Sequence, residues 1–105
     1  ALEHATHHKL ERLVCLRLID MANALIALDR LDGAHERLDN ALAAALVNQD
    51  HPAQFFIYHA RWRARQRAGD LERARLELAA AKYAIRYVDE NCPEAREVLA
   101  ASAAG

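Results

Sequence analysis

One spacing constrains this chain more than any other: apolar and small residues recur at a separation of 40 along its middle. Leu31 returns as Leu71, Ala34 as Ala74, Leu38 as Leu78 and Ala41 as Ala81, while Ala24 just upstream returns as Ala64. A proline start recurs almost in step, at Pro52 and Pro93. A period of this length marks stacked helical units. One such unit cannot bury its apolar stripe alone, so neighbours must lie on one another.

The punctuation of the chain agrees. No Gly or Pro interrupts residues 4–28, where Leu10, Leu13, Val14, Ile19, Ala22, Leu25 and Ile26 recur at helical spacing. Asp29 to Gly33 then breaks the pattern. A second helix is expected over about 31–48, with Leu31, Ala34, Leu38, Leu42 and Ala45 on one stripe. His51-Pro52 opens a third, because proline is best tolerated in a first turn, and Ala68-Gly69 closes it near residue 68. Asp70 can cap a fourth helix over about 70–89, and Asn91-Cys92-Pro93 opens a short last one over about 93–103. Strong helix formers dominate and β-branched residues are few, namely Thr6, four Ile and four Val. An all-α domain spanning residues 1–105 follows. Because the chain begins at Ala1 without methionine, it reads as a segment of a longer protein.

Two segments resemble a known family. Leu28-Asp29-Arg30-Leu31-Asp32-Gly33-Ala34 and Ala68-Gly69-Asp70-Leu71-Glu72-Arg73-Ala74 look like the turn and second-helix start of a tetratricopeptide repeat. Each is followed by a large residue (Leu38, Leu78) and a small one (Ala41, Ala81). The resemblance covers about residues 15–88. Its period exceeds the usual ~34 and is similar to the longer repeats of bacterial regulatory proteins. It implies a right-handed superhelix of two helical hairpins plus a C-terminal capping helix, acting as a protein-interaction scaffold in signalling. Trp62 departs from the family pattern where a small residue is usual, as do Arg61 and Arg65 at usually apolar positions.

At about 100° per residue the third helix carries two apolar arcs. Phe56, Ile57, Ala60, Ala64 and Ala68 form one; Phe55, Tyr58 and Trp62 form another nearly opposite. Such a helix is sandwiched between layers, or else shows its aromatic arc to a partner.

The net charge of −1 hides an asymmetry. Residues 1–50 carry −3, residues 51–88 carry +5 and residues 89–105 carry −3. The basic block centres on Arg61, Arg63, Arg65 and Arg67, followed by Arg73 and Arg75. The plainer reading of this block is a solvated face partly paired with Glu72 and Glu77. Arginine also offers a planar fork for carboxylates and phosphates. In tetratricopeptide domains the first helix of each hairpin lines a concave groove. Carried over by position, the resemblance implies a groove of Asp20 and Asn23 from the first helix and His59, Arg63, Gln66 and Arg67 from the third. Asn23 matches the asparagine of the family's carboxylate-binding pattern, but Ile19 stands where its lysine belongs.

Catalytic constellations fare less well. His4, His7 and His8 share a helix face at a spacing that suits a transition metal, yet no carboxylate or cysteine completes a ligand set, and a solvated first turn is the plainer reading. His59 and His35 only loosely fit a phosphotransfer histidine. Cys15 reads as a small packed residue, and Cys92 as a thiol ahead of a helix start. Two cysteines at such a distance make neither a metal motif nor a disulfide framework, which fits a reduced, cytoplasmic setting. No apolar run is long enough for a bilayer. The expectation is thus a non-enzymatic scaffold without cofactor that docks an acidic peptide or partner segment in a basic groove. Nucleic-acid binding through the arginine face, with Trp62 or Tyr58 stacking on bases, ranks second, and self-association as a homodimer third.

Overall fold

The computed structural model describes residues 2–104, with side chains from Lys9 onward. Among these residues all regular structure is helical: α1 (Leu2–Ala27), α2 (Leu31–Val47), α3 (His51–Arg67), α4 (Leu71–Ala84), a 3-10 turn (Ile85–Tyr87) and α5 (Pro93–Ala104). They pack as a slab of about 46 × 28 × 19 Å.

The first three helix ends are built alike. The chain turns left-handed at Asp29 (φ 61°), Gln49 (φ 52°) and Gly69 (φ 76°), positions spaced 20 apart. Each time the next amide reaches back to a carbonyl five residues earlier: Arg30 to Leu25 at 2.8 Å, Asp50 to Ala45 at 2.8 Å and Asp70 to Arg65 at 3.0 Å. These are Schellman stops, which satisfy carbonyls that the helix leaves open. The 40-residue recurrence is therefore two helix-plus-turn units of 20. Asp50 and Asp70 also cap the helices they precede, accepting from the Ala53 and Arg73 amides at 3.2 and 3.1 Å, whereas Arg30 makes no such side-chain bond before α2.

The shared geometry makes a testable contrast. A Cβ added at Gly69 meets nothing within 4 Å, so Gly69→Ala carries only the backbone cost of a left-handed alanine, about 1 kcal/mol. Gln49→Gly relieves the same strain against a more flexible unfolded chain and should gain about 0.5 kcal/mol. Urea unfolding of the two variants checks both signs.

Two apolar clusters meet on α3. In the first, Cys15, Ile19, Ala22 and Ile26 of α1 pack with Ala34, Leu38, Ala41 and Ala45 of α2 and with Ala53, Ile57, Ala60 and Ala64 of α3. In the second, Phe55 meets Ala81 and Ala84 of α4 and Ala95 and Val98 of α5. Alanines at these crossings let helices approach closely. Both arcs of α3 are covered, so it is the middle layer, and the aromatic arc is not a free surface.

Two expectations need correction. Leu10, Leu13 and Val14 do not join the α1 core; Leu13 and Val14 are each 59% exposed. Cys15, Ile19, Ala22 and Ile26 form the inward face, and at 100° per residue the Leu10–Val14 set lies on roughly the opposite side. The fourth helix also stops at Ala84 rather than near residue 89. Its last turn tightens to 3-10 and Val88 is extended (φ −129°, ψ 168°). This brings Ile85 and Val88 onto the second cluster, while Tyr87 stacks on His51 at 4.4 Å.

Candidate functional site

The arginine run on α3 is where the charge of the chain concentrates, and the helix divides it. Residues four apart share a side and residues two apart do not. Arg61 and Arg65 accordingly face α2 and α4, while Arg63 and Arg67 face α1.

On the α2–α4 side the arginines meet acids. Arg61 pairs with Asp39 of α2. Glu77 of α4 feels both Arg61 and Arg65, which hold its carboxyl down, but burial outweighs them and pushes it above the usual range. His35 of α2 is shifted the other way, first by burial and then by Arg65 and Arg61, with Asp39 and Asp32 opposing. Arg61 is thus paired across to α2, and Arg65 acts on Glu77 and His35 through its charge. The Nε atoms of both, and of Arg37, are buried without a hydrogen bond.

This cluster imposes a pH dependence. A histidine whose folded pKa lies below its ordinary 6.5 contributes stability that is present above 6.5 and is lost as pH falls through the folded value. Glu77, with its pKa raised, has the opposite sense: acidification relieves its buried charge. Lowering pH from about 7.5 to about 5.5 should shift the urea midpoint of wild type downward, and His35→Gln should remove part of that shift. An identical shift in the two proteins would contradict the assignment.

On the α1 side lie the residues expected to line the groove. Arg63 Nη1 donates to Asn23 Oδ1 at 3.4 Å, and Arg67 stands 4.0 Å from Asp29 in the α1–α2 turn. Gln66 is exposed beside them. Among the described residues Arg63 has no carboxylate partner; the half-buried guanidinium is held by a neutral amide alone. Asp20 lies one turn before Asn23 on α1, exposed.

His59 departs from expectation. It is 4% exposed, set between Phe55 and Trp62 at ring distances of 6.4 and 5.8 Å, and its Nε2 bonds to Glu97 of α5 at 3.2 Å. A ring so covered does not line an open groove; its polar link reaches the surface through the half-exposed Glu97. Trp62 is likewise buried, so neither face of its indole is open to a base in this fold. Sequence reasoning missed the burial of His59 because its cover comes from outside α3, whereas the cover of Trp62 accords with a helix sandwiched between layers. α5 contributes Glu97, more than 30 residues along the chain.

The remaining candidates are simpler. Cys15 is buried, donates weakly to the Ala41 carbonyl at 3.5 Å, and its thiol pKa is raised by burial and then by Asp50. Arg73 pairs locally with Asp70 at 3.5 Å. His4, His7 and His8 fall outside the residues whose side chains are described. Among the described residues no group of three His, Cys, Asp or Glu could hold a metal, and no helix is long and apolar enough to cross a membrane. No known protein family, curated protein or solved structure matches the chain.

Proposed function

We propose that the chain is a tetratricopeptide-like interaction scaffold: two long hairpins, α1–α2 and α3–α4, stacked as a right-handed superhelix and closed by α5. Its function is to dock an acidic segment of a protein on the α1–α3 face. The observation that carries this reading is Arg63, a half-buried cation held by a neutral side chain. Such a group keeps its full charge while losing part of its water, so an incoming carboxylate gains more from it than from a fully solvated arginine. Arg67 adds a second cation one turn on, its own acid 4.0 Å distant and exposed. Gln66 and Asn23 supply neutral hydrogen-bonding groups around them.

Binding of nucleic acid through α3 has less support. It would need a continuous arginine face and an accessible aromatic platform, whereas the run is split, Trp62 is buried and Tyr58 packs partly buried against the second cluster.

The reading is tested by fluorescence anisotropy with labelled hepta-glutamate and hepta-lysine peptides. Hepta-glutamate should bind, and weaken as salt rises and the Debye length shrinks from about 30 Å to about 10 Å between 0.01 and 0.1 M. Equal binding of the two peptides would count against it.

A further inference from the structure

Internal symmetry exposes a surface on α1. The face of α3 that packs on the first hairpin is Ala53, Ile57, Ala60 and Ala64, all buried in the first cluster. Forty residues earlier these positions are Leu13, Arg17, Asp20 and Ala24, and all four are exposed. The same side of α1 also shows Leu10, Val14, Met21 and Leu28. The positions 10, 14, 17, 21, 24 and 28 alternate steps of four and three, the spacing of a coiled-coil seam, and Arg17 alone among them is charged. From residue 10 to residue 28 the stripe runs about 27 Å at 1.5 Å per residue.

We infer that this stripe binds a second copy of the chain, α1 against α1, antiparallel about a two-fold axis near residues 18–19. The charges select that occupant. A helix laid on α1 as α3 is laid on the first hairpin presents alanine and isoleucine, and would bury Arg17 and Asp20 without partners, a costly arrangement. Neither makes an ion pair among the described residues. In an isologous contact residue i meets j and j meets i. Antiparallel pairing sets Arg17 of each copy beside Asp20 of the other, twice over. In the same register Leu10 lies against Leu28, Val14 against Ala24 and Arg17 against Met21, with Asp20 one residue to the side. A parallel pairing would instead place Arg17 against Arg17. The apolar stripe lies on the side of α1 away from Arg63, and Asp20, which the acidic-segment reading also places at the edge of its groove, is the one residue the two readings share.

Sedimentation velocity of the 105-residue chain decides the matter. An interface of one helix per copy belongs at the small end of the range, so wild type should pass from an 11.8 kDa monomer towards a dimer between roughly 10 and 300 µM. Arg17→Asp and Asp20→Arg, both on exposed positions, should each weaken the dimer about tenfold or more. The double swap Arg17→Asp/Asp20→Arg should return it to within about threefold of wild type, because the pair is restored with its sense reversed. A wild-type monomer throughout that range, or a double variant no tighter than the single ones, overturns the proposal.

Discussion

Truncating Phe55 to alanine should cost the fold about 3–5 kcal/mol, the largest loss expected of any single side chain here. Phe55 is fully buried and heads the large residues with no solvent contact. It stands where α3 meets α4 and α5, edge-on to Phe56 at 5.2 Å and stacked near His59 at 6.4 Å. Three of the four other buried members of its cluster, Ala81, Ala84 and Ala95, have no longer side chain to swing into the space, while Val98 and partly buried residues such as Phe56 and Leu78 pack at its edge. The cost of the cavity left on the alanine side adds to the lost transfer free energy. A domain of this size holds only about 5–15 kcal/mol in all, so the variant would lose at least about a fifth of its stability. Equilibrium urea unfolding should show a much lower midpoint at unchanged slope. Tyr83→Ala, at a position 65% exposed, should stay within about 0.5 kcal/mol of wild type. A Phe55→Ala loss below about 1 kcal/mol would mean that α5 and α4 do not enclose the ring.

What could be read in advance follows from how local each feature is. Gly69, Asp70 and Pro52 announce their turn and caps in the residues themselves. Asp29 and Gln49 adopt the same left-handed turn without glycine, and only their spacings of 40 and 20 from Gly69 hint at it. On α1 both sides are apolar, so periodicity identified a helix yet could not choose between the Leu10–Val14 side and the Cys15–Ile26 side. That choice is made by α2 and α3, whose contacts are tertiary. The early stop of α4 has the same origin: no Gly or Pro stands between Gly69 and Pro93, and the tightening serves Tyr87 and Val88 in their contacts with other elements. For the candidate site, the split of Arg61 and Arg65 from Arg63 and Arg67 is already implied by helix geometry. The burial of His59 is not, because its position between the two arcs of α3 looks solvated until α5 is laid over it.

Arg63 and Arg67 carry the second large effect. If the α1–α3 face receives acidic segments, reversing both charges changes the sign of the field that an incoming peptide meets and places a carboxylate beside Asp29. Each factor of ten in affinity corresponds to about 1.4 kcal/mol, and removing two attractive contacts while adding two repulsive ones should exceed that. Both side chains reach solvent, so the fold should survive the change and its urea midpoint should move little.

The decisive measurement is anisotropy of hepta-glutamate and hepta-lysine against wild type and Arg63→Glu/Arg67→Glu at low salt. The scaffold reading predicts at least a tenfold loss of hepta-glutamate affinity in the variant, together with tighter binding of hepta-lysine than wild type shows. Unchanged hepta-glutamate binding in a folded variant would contradict it and move the search for a docking face away from α1 and α3.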